Sequence, residues 1–240
     1  MVNGVASTLG EAIARRFVDE GAIVVGVDRN EHAIGELALC AELSDETAVE
    51  QVFRTAHDRF GRIDVIYNNM GLQDRDDHSI VDTSLETWNR VFTANLTSIF
   101  LCCKHGVPLL RKNTPAGGAI INSASFLAQI GAATAQMAYS AAKAAVVQLS
   151  RDLGVHLARS GIRVNAVCYG PIATPQQQVV FDRNPGALEK RLVHWPMGRF
   201  GTLDEAAATV AFLASDEAGF ITAAAIPLDG GITAAFTVPE

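Results

Sequence analysis

The chain has 240 residues, 49% hydrophobic and 19% charged, with a formal net charge of −7 and no basic tract. That balance fits a compact soluble domain, excludes a disordered chain, and argues against nucleic acid as a partner. No run of 18 apolar residues offers a membrane span, and Met1 to Thr8 has neither the basic nor the apolar region of a signal peptide, so a cytoplasmic protein is expected.

The chain opens with Asn3-Gly4-Val5-Ala6-Ser7-Thr8-Leu9-Gly10. A helical pattern follows near Leu9 to Glu20, with Leu9, Ile13 and Phe17 on one stripe and Gly21 as its stop. Strands are predicted at Ile23 to Val27, weakly near Leu37 to Cys40, and at Asp64 to Tyr67, with a helix from Thr47 to Phe60 before the last of these. A long helix is predicted from Leu85 to Arg111, then a strand at Ala119 to Asn122 and a helix from Tyr139 to Arg159. The pattern ends with strands at Arg163 to Val167 and Ala225 to Leu228 around a helix from Leu203 to Ala214. Strands alternating with helices imply βαβ units, hence an α/β doubly wound parallel sheet in a single domain spanning residues 1–240. Such a sheet binds ligands beyond the carboxyl ends of its strands.

Three features point to chemistry. The glycines of the opening turn allow a tight bend and a close approach to a pyrophosphate at a helix N-terminus, although Thr8 stands where a middle glycine is expected. Asp28 ends the second strand 18 residues after Gly10, where a carboxylate accepts bonds from both ribose hydroxyls and repels a 2′-phosphate. That favours NAD over NADP, a preference Arg29 could soften. Tyr139 and Lys143 lie four residues apart, on one helix face, with Ser125 upstream. An ammonium beside a phenol favours the phenolate and brings proton exchange nearer neutral pH. Chance yields such a pair in roughly one chain in twenty of this composition, so its weight comes from its surroundings.

With those surroundings, from about Asn3 to Gly231, the chain resembles the short-chain dehydrogenase/reductases. The turn, Asp28, Asn68-Asn69-Met70-Gly71, Asn95, Ser125, Tyr139 with Lys143, Gly170-Pro171-Ile172-Ala173-Thr174 and Asp229-Gly230-Gly231 occur in that family's order. The resemblance implies a Rossmann-like fold and an NAD(H)-dependent oxidoreductase interconverting a secondary alcohol and a ketone. Tyr139 would be the general acid/base, Lys143 would lower its pKa and hold the nicotinamide ribose, Ser125 would bond the reacting oxygen, and Asn95 would hold a water relaying protons to Lys143. Cofactor contacts would come from Gly4, Leu9, Gly10, Asp28, Glu42, Leu43, Asn69, Gly71, Tyr139, Lys143, Gly170, Ile172 and Thr174. The resemblance also implies a homotetramer packed through the long helices, and a substrate lid at about residues 175–200.

Other readings stand beside these. Ser123 rivals Ser125 for the serine role. Asp74-Arg75-Asp76-Asp77-His78 reads as a solvated loop in preference to a metal site. Asn95-Leu96-Thr97 has the form of a glycosylation acceptor, expected to be empty. The four cysteines, Cys40, Cys102, Cys103 and Cys168, lack metal-ligand spacing and read as reduced thiols. Trp195, in the lid, could touch substrate or seal a subunit contact.

Three departures from the family pattern remain. Met70 replaces a small residue and Tyr169 a proline. Only Met1 and Val2 precede Asn3, so the first, central strand of about six residues is expected to be missing or truncated, with the natural start upstream and the glycine-rich turn poorly anchored. Two alternatives follow: a 3-oxoacyl thioester reductase, against which Asp28 speaks, and a catalytically silent nucleotide-binding or oligomer-forming relative.

Overall fold

The computed structural model describes residues 1–182 and 186–236. Seven parallel strands form one sheet in the order β3-β2-β1-β4-β5-β6-β7. They are β1 (Val2–Asn3), β2 (Val25–Asp28), β3 (Leu37–Cys40), β4 (Val65–Asn68), β5 (Gly118–Ser125), β6 (Ile162–Tyr169) and β7 (Ala225–Leu228). Between them run α1 (Thr8–Asp19), α2 (Glu46–Phe60), α3 (Leu85–Phe92), α4 (Ser98–Leu110), α5 (Met137–Leu157), α6 (Pro175–Asp182), α7 (Ala187–Leu192) and α8 (Leu203–Ala214).

The helices cover both faces of the sheet. Ile13, Ala14 and Phe17 of α1 pack with Ala206, Val210 and Leu213 of α8 on one side. Val49 and Phe53 of α2, Ile99 and Cys102 of α4, and Val146 and Val147 of α5 fill the other. Start signals are local: Ser7 caps α1, Asp45 caps α2, and Thr202 with Glu205 forms a capping box on α8. The predicted helix Leu85 to Arg111 is interrupted by a π-helical turn at Thr93–Thr97, so it stands as α3 and α4. Such turns occur often at functional sites.

Of the two outcomes expected for the first strand, missing or truncated, the second holds. β1 is truncated to two residues, yet it occupies the central position and pairs with both neighbours. Met1 extends the ladder: its carbonyl accepts from the Tyr67 amide at 2.9 Å and its amine donates to Val65 at 2.6 Å. Two residues suffice because β2 and β4 have only four residues each. The glycine-rich turn is likewise anchored, by Gly4 and Val5 amides on the Val27 carbonyl, and by Asn69 Nδ2 on Gly4 O at 3.2 Å and Ser7 Oγ at 2.7 Å.

A row of buried polar side chains crosses the centre. Asn3 donates to Asn68 at 2.9 Å, Asn68 to Asn122 at 2.8 Å, and Asn122 to Ser150 Oγ of α5 at 2.9 Å. Removing Asn68 strands two buried partners, so Asn68→Ala is expected to lower stability by roughly 2–4 kcal/mol. Asn3→Ala breaks one link of the row and is expected to cost less. Urea unfolding of the two variants measures the difference, and equal losses would mean the row does not act as a linked unit.

Candidate active site

Two cavities open at the carboxyl ends of the strands, on either side of the point where strand order reverses between β1 and β4. The smaller, about 250 Å³, is lined by Gly4, Asp28, Glu42, Leu43, Asn69 and Gly71, among others. The larger, about 1010 Å³, brings together Leu9, Ser125, Tyr139, Gly170, Ile172 and Thr174. The predicted residues thus divide into an end suited to adenosine and a reacting end.

The turn between them packs its own backbone closely. Gly4 has φ +78°, and a side chain at Gly10 would begin 2.3 Å from the Gly4 carbonyl. Asp28, 9% exposed, accepts from the Ala6 amide through one oxygen and from Asn30 through the other, both at 3.0 Å. Each carboxylate oxygen keeps lone-pair capacity for a further donor. Glu42 instead spends its carboxylate on Ser44, and Leu43 is buried beside it. A glycine cradle at a helix N-terminus, with a carboxylate at the next strand end, fits a dinucleotide whose pyrophosphate spans the switch point.

At the reacting end, Tyr139 sits in the first turn of α5 and Lys143 one turn on. Ser125 ends β5 and lines the larger cavity with Tyr139, and its side chain draws the phenol's pKa down. Ser123 lines the same cavity, but its carbonyl receives Lys143 Nζ at 2.9 Å. Lys143, 2% exposed, also donates to Met70 O at 3.0 Å. Met70, a departure from the family pattern, therefore contributes a backbone carbonyl to the site. Asn95 lies in the π-helical turn, fully buried; its Nδ2 donates to Leu72 O and Val91 O, both at 2.9 Å, and its Oδ1 receives the Leu72 amide at 3.2 Å. Gly71 lies in the gap, where a Cβ would stand 3.6 Å from both Asn95 Oδ1 and Lys143 Nζ.

The electrostatics differ from the sequence expectation. Burial pushes the Tyr139 phenol up, opposed by hydrogen bonds with Ser125 and Gln73. Lys143 does not act on it as a bonded ammonium: Nζ lies 5.8 Å from the ring centroid and is bonded to two carbonyls. Burial brings Lys143 itself down to about 7. Each group is therefore held towards its uncharged form.

Several residues were not legible in the sequence. Gln73 reaches the Tyr139 side chain. Asp77, read as part of a solvated loop, is 3% exposed and bonds the backbone of α5. Asp74, from the same loop, pairs with Arg90 at 2.7 Å, and among the described residues no group of His, Cys, Asp and Glu could hold a metal ion. Tyr169 meets Tyr67 hydroxyl to hydroxyl at 3.1 Å, so the residue in place of the proline carries a buried polar contact under the larger cavity. Trp195 lines that cavity, edge-on to Phe200. The one signal available was position: Gln73 and Asp77 lie just beyond a strand's carboxyl end.

Comparison with known proteins agrees with this geometry. A family model described as enoyl-(acyl carrier protein) reductase matches residues 4–233. Meso-2,3-butanediol dehydrogenase of Serratia marcescens is 34% identical, over 100% of this chain and 96% of that protein. Cis-4-hydroxycyclohexanecarboxylate dehydrogenase of Sinomonas cyclohexanicum is 37% identical, over 98% of this chain and 96% of that protein. A solved Burkholderia xenovorans structure described as a short-chain dehydrogenase/reductase superimposes with a TM-score of 0.90 at 33% identity, covering 98% of this chain and 96% of that one.

The lowered Lys143 value carries a stability prediction. Between about 7 and the ordinary 10.5, the folded protein binds fewer protons at Lys143 than the unfolded chain does, so this group's contribution rises with pH across that window. Relative to Lys143→Met, the wild type should therefore gain stability as pH is raised from 7 to 10. Denaturant unfolding of both proteins across that range is the measurement, and a constant gap would contradict the assignment.

Proposed function

The chain belongs to the short-chain dehydrogenase/reductase family, and from that we propose that it is an NAD(H)-dependent oxidoreductase interconverting a secondary alcohol and a ketone, with Tyr139 as general acid/base. The observation that carries this reading is the placement of Ser125 and Tyr139 together on the wall of the larger cavity, with Lys143 one helical turn away.

In the oxidation direction, Ser125 orients the substrate hydroxyl, and the Tyr139 oxygen, deprotonated against the bias of its burial, takes its proton as the carbinol carbon loses hydride. In reduction, the Tyr139 phenol returns the proton to the carbonyl oxygen. Bound nicotinamide supplies the acceptor or donor of that hydride. Lys143 is buried behind half-buried Tyr139, which faces the cavity, so a charge developing on the substrate oxygen meets groups already held in place. Met70 O and Ser123 O occupy two donors of a charged Lys143, leaving a third for a ribose hydroxyl. Asn95 acts on this site by fixing Leu72, and with it the bend at Gly71.

Asp28 supports NAD over NADP, because a 2′-phosphate would lie against its carboxylate. Thermal stabilisation is expected with NADH and not with NADPH, and Asp28→Ser should narrow the difference. Tyr139→Phe is expected to lower kcat by roughly 10²–10⁴ with NADH affinity retained; an unaffected rate would refute the assigned role.

The substrate cavity has apolar walls from Phe126, Ile130, Phe181 and Trp195, with Arg191 and His194 at the lid. Arg191 stacks over Phe181 at 5.3 Å. This supports a carbinol with an apolar body, and it gives Arg191 a part in holding a carboxylate such as that in the name of the Sinomonas relative. A hydroxycycloalkane carboxylate should then be a better substrate than the unsubstituted cycloalkanol, and Arg191→Ala should remove that preference through KM. We also read the protein as a cytoplasmic homotetramer: its cysteines are free thiols, and Phe100 of α4 and Val155 of α5 are exposed apolar side chains on the long helices.

A further inference from the structure

We infer that Asp77 is a positioning residue for Tyr139, an inference that rests on the role proposed for Tyr139 above. Helix α5 begins at Met137, and the preceding Gln136 makes no side-chain cap. The first amides of a helix lack intrahelical partners and must be satisfied from elsewhere. Here the acceptor comes from a distant loop: Asp77 Oδ1 receives the Ala138 amide at 3.0 Å, and Oδ2 receives the Tyr139 amide at 2.8 Å.

An ionised carboxylate is costly to bury unless it is hydrogen-bonded or paired. Asp77 is 3% exposed and has no cationic partner among the described residues. Its two amide bonds at the positive end of the α5 dipole are what compensate the charge.

The same loop is tied down around the tyrosine. Gln73 lines the cavity with the phenol and draws its pKa down, while Lys143 binds the loop carbonyl of Met70. Asn95 grips Leu72 between them, and Asp74 ties the loop to α3 through Arg90. The loop after β4 therefore fixes the backbone from which the Tyr139 side chain springs. Loss of the Asp77 bonds would loosen only the first turn of a 21-residue helix, and that turn carries the reacting oxygen.

The test compares Asp77→Ala and Asp77→Asn with wild type for kcat, for NADH affinity by fluorescence and for melting temperature, each also in the Tyr139→Phe background. A misplacement of about 1 Å can cost 10²-fold in rate, so Asp77→Ala is expected to lower kcat by roughly 10–100-fold. Asp77→Asn keeps one acceptor oxygen and should lose less. NADH affinity should hold in both, because both Asp77 oxygens are taken by the α5 amides and Asp77, though it lines the larger cavity, stays outside the adenosine-side one. In the Tyr139→Phe background the Asp77 substitutions should cost nothing further. The inference is overturned if kcat is unchanged in folded Asp77→Ala, or if the loss recurs undiminished without the phenol, which would mark a general structural role. Should Asp77→Ala fail to fold, Asp77→Asn decides by the same criteria. A full rate in Tyr139→Phe alone would overturn the reading of Tyr139, and this inference with it. A dead Tyr139→Phe beside unaffected Asp77 variants overturns this inference only.

Discussion

Four buried polar side chains, Asn3, Asn68, Asn122 and Ser150, carry the constraint on which the site depends. They run through the paired positions of β1, β4 and β5 and end on α5. Because side chains alternate across a strand, a slip of one residue would turn an amide from the row to the opposite face and leave its partners unsatisfied. The row therefore fixes the register at the point where the sheet reverses its winding. It also fixes where α5 stands on the sheet, and so where Tyr139 and Lys143 stand relative to Ser125. A two-residue central strand has few ladder bonds of its own, and this side-chain row adds to them.

The candidate proton-transfer end is assembled from groups that burial biases towards neutrality. The Tyr139 phenol is pushed up, opposed by Ser125 and Gln73, and the Lys143 amine, bonded to two backbone carbonyls, is pushed down. In such a site the fixed dipoles come first, and a charge formed on substrate or side chain meets donors already oriented. The loop from Met70 to Asp77 supplies much of that orientation. It returns to α5 at Lys143, at the phenol and at the helix start, and the π-helical turn at Asn95 clamps it from the other side.

Much of the fold could be read from the chain because parallel strands buried on both faces are short apolar runs between amphipathic helices. Leu37–Cys40, Leu203–Ala214 and Ala225–Leu228 lie where the pattern put them. The interruption at Asn95 was hidden, since a π-helical turn barely disturbs the apolar periodicity of its flanks. The fate of the first strand was also hidden: chain length before Asn3 says how many residues there are, but not that its neighbours β2 and β4 have only four residues each.

By itself the sequence determined the family pattern and the candidate site residues, because these depend on residue type and local spacing: Tyr139 and Lys143 on one helix face, Asp28 at a strand end, glycines in the opening turn. Only the tertiary structure gave Tyr67 and Tyr169 to each other and turned Asp77 from a surface acid into a buried helix cap. Those outcomes depend on contacts between residues distant in sequence, such as the 62 positions between Asp77 and Tyr139. Burial and hydrogen-bond geometry at such contacts are set by how the elements pack, which no local pattern encodes.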